Sequence, residues 1–184
     1  MPSPTIILAV VAVLVLIAAA YFAFGGPKSF IISQTIGVKQ GFLAVDPSGV
    51  VALVADKKGA TTFTGSQAYG TPTTIKDSKT GLLLTTSTDG TYMVGAATGG
   101  DKFVFAPTTA TQVKGVATGA MLNAAPIRWF HTSNSNGGNT WLVSSGGGGA
   151  HDVDKRIYFT TDTSVSAFGE KTWALYQPAK KAST

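Results

Sequence analysis

Side chains able to do chemistry are few in this 184-residue chain: two histidines, one glutamate, eight aspartates and no cysteine. Without cysteine there is no thiolate nucleophile, no Cys-ligated zinc and no disulfide framework. The tightest grouping is His151-Asp152-Val153-Asp154, an imidazole beside two carboxylates, a metal-ligand set in type. It follows four glycines, Gly146 to Gly149, so it reads as a solvated loop and no metal is expected. His131 ends the run Ile127-Arg128-Trp129-Phe130, where a hydrogen-bonded structural histidine is expected. Asp77, Asp89 and Asp101 each stand beside Gly or Ser, in turns where Asp bonds its own backbone. The glycine stretches at 115–119 and 146–149 lack the Lys-Ser/Thr of a phosphate-binding loop and any following helix. No catalytic, cofactor-binding or metal-binding residue emerges, and the expectation is a protein that is not an enzyme.

Recognition residues are easier to find. A long polar loop, Ser133 to Asn139, leads into Trp141, and Asn134, Asn136, Asn139 and Trp141 form the candidate partner or ligand loop. Tyr92 with Asp89 is a second aromatic–acid pair of the kind that binds sugars. Phe42, Phe63, Phe103, Phe105, Trp129, Phe159, Trp173 and Tyr176 fall in apolar runs and are expected in the core. The net charge is +5, but no basic run exceeds two residues, as at Lys57-Lys58 and Lys180-Lys181. Nucleic acid is therefore not an expected partner. A dispersed positive surface suits anionic headgroups or an acidic protein neighbour.

The elements that carry these residues divide the chain in three. All 14 basic and nine acidic side chains lie at Lys28 or later, behind an apolar run from Pro4 to Phe24. As a helix that run is about 30 Å long, the thickness of a bilayer core. Its length and apolar faces predict a single transmembrane anchor over 1–26, with Ile6, Leu8, Val13 and Leu16 in the lipid and Tyr21 and Phe24 at the interface. A cleaved signal peptide would want a basic start and a shorter run, and a buried core helix this long is unusual in a small domain. Lys28 and Lys39 flank the run on its C-terminal side, which favours a single-pass protein with the following domain on the cytoplasmic side.

From 27 to 178 short β-rich runs recur, broken by Gly, Asp, Asn, Ser and Pro. The expected strands are 30–36, 42–45, 50–54, 61–64, 82–86, 91–94, 102–105, 111–116, 127–132, 140–144, 156–160, 165–168 and 172–176. This predicts an all-β barrel or sandwich. The last six residues, 179–184, form a basic C-terminal tail without an apolar anchor.

An internal repeat refines the expectation. Gly41-Phe42-Leu43-Ala44-Val45-Asp46-Pro47-Ser48-Gly49-Val50 is echoed by Gly81-Leu82-Leu83-Leu84-Thr85-Thr86-Ser87-Thr88-Asp89-Gly90-Thr91, 40 residues on. Both continue through a glycine turn to strands bearing Phe63, or Phe103 and Phe105. A looser third copy starts at Asn139 and closes on Thr172 to Tyr176. Three such units resemble the β-trefoil, in its fascin-like and ricin-B-like branches, although the Gln-x-Trp triplet of ricin-type sugar sites is absent. The resemblance implies a barrel of three hairpin units behind the anchor, with a β-sandwich left open. In outline, anchor plus cysteine-free β domain resembles a minor capsid protein of a large icosahedral DNA virus, found at the virion inner membrane.

The expected function is thus a non-enzymatic, membrane-anchored structural or scaffolding protein. Its partners would be a lipid bilayer and protein neighbours in a larger assembly, and its most specific form a minor capsid protein linking an internal viral membrane to the shell. The alternative is a membrane-tethered, lectin-like carbohydrate-binding module. No cofactor is expected.

Overall fold

The computed structural model describes residues 29–36, 39–90, 92–109, 118–119, 126–132, 140–144, 156–160 and 173–178. Among them lie thirteen strands: β1 (Ser29–Ile36), β2 (Lys39–Val45), β3 (Val51–Val54), β4 (Phe63–Thr64), β5 (Thr73–Thr74), β6 (Lys76–Asp77), β7 (Leu83–Thr86), β8 (Met93–Ala96), β9 (Lys102–Pro107), β10 (Ile127–His131), β11 (Thr140–Ser144), β12 (Ile157–Thr160) and β13 (Trp173–Tyr176). Their Val, Ile, Phe and Thr content suits a pleated surface. The all-β expectation holds.

All the strand pairings are antiparallel, and the strands join in one sheet with the path β12-β11-β10-β13-β1-β4-β6-β7-β8. Strands β2 and β3 branch from β1, and β5 and β9 branch from β10. The sheet curls into a half-barrel. Its two ends approach each other at β3, where Val50 bridges Val94 and Ala52 bridges Arg156. The guanidinium of Arg156 lies 5.1 Å from the Tyr92 ring centroid at the same seam.

Alternation along the strands fills the concave side. Phe30 and Ile32 of β1, Phe103 and Phe105 of β9, Ile127 and Trp129 of β10, and Trp173 and Leu175 of β13 all enter one buried cluster. Its rings are contiguous: Trp129 lies 5.3 Å from Phe103, 5.7 Å from Phe105 and 5.4 Å from Trp173, centroid to centroid. Edge-on and tilted packing of this kind adds to the burial of their surface.

Turn chemistry sets the hairpins. At the β2–β3 turn, Asp46 Oδ1 accepts bonds from the Ser48 N–H, the Ser48 hydroxyl and the Val50 N–H. Gly49 closes that turn with φ +87°, where a Cβ would sit 2.3 Å from the Gly95 carbonyl oxygen. The Gly95 N–H donates to Gly49 O at 2.8 Å, so two backbones touch directly. The β7–β8 turn ends in Gly90, φ +75°.

Several expectations need correction. Among the described residues no helix is long and apolar enough to cross a membrane; helical structure there is one 3-10 turn, Lys57–Gly59. The expected anchor residues Ile6, Leu8, Val13, Leu16, Tyr21 and Phe24 lie outside the described residues. The single-pass anchor and the membrane localisation thus find no support among the described residues and are not carried further. Hydropathy measures a preference for leaving water, not a hydrogen-bonding pattern, so an apolar run alone does not specify a helix.

The β-trefoil expectation is corrected as well. Both repeated hairpins form, β2 with β3 and β7 with β8. Their closing strands diverge: β4 pairs with β1 and β6, whereas β9 pairs with β10 and β5. Strand β11 pairs with β12, and β13 inserts between β10 and β1. Three equivalent units would repeat one pairing pattern three times. Similar turns set local hairpins but leave long-range partners open, and here those partners differ.

Strand expectations at 111–116 and 165–168 fall outside the described residues. Strands β5 and β6, which were not expected, carry polar residues inward: Thr73 and Asp77 are buried on either side of Ile75.

Candidate functional site

Among the described residues one acid, one hydroxyl and one imidazole converge at one place. Thr86 ends β7, Asp101 stands just ahead of β9 and His131 ends β10. These ends are held by the backbone: Asp101 N donates to Leu84 O, and Thr132 N donates to Lys102 O at 2.9 Å. Period two along β10 turns His131 to the same face as Ile127 and Trp129, and its ring meets Phe103 edge-on at 5.4 Å. His131 is 6% exposed and Asp101 21%.

Asp101 Oδ2 accepts three bonds. They come from the Thr86 N–H at 2.7 Å, the Thr86 hydroxyl at 2.7 Å and His131 Nε2 at 2.8 Å. Burial pushes the Asp101 carboxyl up, but the bonds from Thr86 and His131 outweigh it and hold it below its ordinary value of 3.8.

A hydroxyl, an imidazole and a carboxylate suggest nucleophilic catalysis by type. Their geometry does not. A triad places the hydroxyl and the carboxylate on opposite ring nitrogens, leaving one nitrogen bare as a base. Here Thr86 Oγ1, at 3.2 Å, and Asp101 Oδ2 both meet Nε2. With the Nε2 proton given to Asp101, no lone pair faces Thr86, whose own proton is also given to Asp101. The arrangement ties three strand ends together.

His131 accordingly sits as a hydrogen-bonded structural histidine. Asp77 and Asp89 serve turns: Asp77 accepts from Lys79 N and the Thr80 hydroxyl, and Asp89 from the Ser87 hydroxyl. Asp101 departs from the turn role expected of it. Nothing in the sequence ties it to His131, 30 residues away; the available signal was the inward phase of His131 with Trp129.

Asn134, Asn136, Asn139, His151, Asp152, Asp154 and Glu170 lie outside the described residues. Trp141 lies in β11 with its backbone opposite Phe130 and Thr160; its side chain lies outside the description. Tyr92, the second sugar-contact candidate, is half-buried with the Arg156 guanidinium over its ring. Among the described residues no three His, Asp or Glu side chains group to hold a metal ion.

In comparisons with known families and with curated proteins, no family model and no curated sequence matches this chain. The membrane, virion and capsid elements of the expected role thus have no support in either the structure or the comparisons.

Proposed function

We propose that the β domain is a non-enzymatic docking module that binds neighbouring proteins. The observation that carries this reading is the wiring of the Thr86 hydroxyl and His131 Nε2 onto one oxygen of Asp101, a structural tie rather than a nucleophile–base pair. A rigid half-barrel with polar turns supports the same role, because recognition concentrates on loops held by a scaffold. Lys57, Lys58, Lys76, Lys79 and Lys102 are all exposed and give the domain positive contact points for an acidic neighbour. Among the described residues no feature favours the carbohydrate reading over this one, since the Tyr92 ring already carries Arg156.

Crosslinking mass spectrometry of the full chain in its native cells, through those five lysines, tests the proposal. Crosslinks from one group of lysines to one defined neighbour, lost when that group is changed to Glu, are expected. Absence of any reproducible protein crosslink would contradict docking.

A further inference from the structure

Strand β1 carries Phe30 and Ile32 into the core, and Gln34, two residues on, takes the next inward position. Gln34 is 1% exposed, yet neither its Nε2 nor its Oε1 has a hydrogen-bond partner among the described residues. Across the ladder its neighbour on one side is Trp173, a core residue. On the other side it faces Gly41, which brings no side chain. The Trp173 ring meets Trp129 edge-on at 5.4 Å, and Trp129 Nε1 is likewise buried without a partner. The unpartnered polar atoms therefore belong to Gln34, opposite Trp173 on β1, and to Trp129, whose ring packs on that of Trp173 two residues beyond its β10 register partner Ile127.

Buried polar groups in folded proteins are bonded, because leaving one unmade costs a sizeable part of a domain's net stability. The carboxamide offers two donors and two lone pairs, the indole one donor. Among the described residues the surrounding cluster is apolar and offers no countercharge, so an ion would be expelled. His131, two residues beyond Trp129, is already bonded to Asp101. The chemistry that fits is an uncharged oxygen able both to accept and to donate.

We propose that the interior of the half-barrel beside Trp173 binds a small neutral hydroxylic ligand, taking hydrogen bonds from Trp129 Nε1 and Gln34 Nε2 and giving one to Gln34 Oε1. Such an oxygen has two sources, an internal water or the hydroxyl of a small organic molecule. The site is independent of the docking role.

Proton NMR on the isotope-labelled full chain tests it, through cross-peaks from the Trp129 indole N–H and the Gln34 side-chain amide. A cross-peak at the solvent frequency identifies water. Cross-peaks to unlabelled carbon-bound protons, with a matching mass excess in native mass spectrometry, identify an organic ligand. Contacts to protein protons alone would overturn the site. Gln34→Leu provides a second measure: it should lower the melting temperature and shift the Trp129 indole resonance. A higher melting temperature with an unmoved resonance would mean a dry, unmet amide and no site.

Discussion

At the scale of single residues, the side chains with chemical potential hold the fold together. Asp101 gathers three donors on one oxygen, and Asp46 does the same for a hairpin turn. Replacing Asp101 with Asn should cost about 1 kcal/mol at neutral pH in urea denaturation, less than for a fully buried pair because the carboxyl is partly exposed. The acid dependence follows from the direction of its shift. A carboxyl held below its ordinary value of 3.8 contributes stability above that value. That contribution fades as pH falls through the lower folded value, so the wild-type advantage over Asp101→Asn should narrow only below about pH 4. A gap that stays constant from pH 7 to pH 2 would contradict the role given to this carboxylate.

At the scale of elements, the turns decide how hairpins close, and glycines mark where backbones meet. Gly49 and Gly90 both have positive φ, but only Gly49 lies against another backbone. Gly90→Ala should therefore cost about 1 kcal/mol, from conformation alone. Gly49→Ala should cost more than about 2 kcal/mol, because the new methyl meets the Gly95 carbonyl as well. Equal costs in thermal melts would argue against this close approach. These turns were legible in the sequence: Asp46-Pro47-Ser48-Gly49 and Ser87-Thr88-Asp89-Gly90 predict hairpins, and hairpins form. Strand partners were not legible. Nothing local in Phe63, Phe103 or Trp173 states which distant strand each will join, and a trefoil drawn from the repeated turns failed for that reason. Strands β5 and β6 stayed hidden because Thr73 and Asp77 put polar groups on the inward phase.

At the scale of the whole molecule, one curled sheet buries a continuous aromatic core. Phe105 packs against Phe30 and Trp129 there, and Phe105→Ala should destabilise the domain by about 3–5 kcal/mol, read from the shift of a single unfolding transition. The seam at β3 is thinner. Arg156→Ala should cost about 0.5–1 kcal/mol and speed hydrogen exchange at the Gly95 amide, while amides in β10 keep their protection. Composition made the fold class readable, since the β-forming runs dominate the charged part of the chain. It did not reveal the inward cluster of Thr86, Asp101 and His131, whose members come together only when the sheet curls.

The state of the His131 ring tests the account most directly, because a docking domain and a hydrolytic one assign its nitrogens differently. Long-range proton–nitrogen NMR on the full chain reads which nitrogen carries the proton. The expected result is a proton on Nε2, directed at Asp101. A neutral ring protonated only on Nδ1, with a bare Nε2 facing the Thr86 hydroxyl, would contradict it and place a general base where the account has a structural tie.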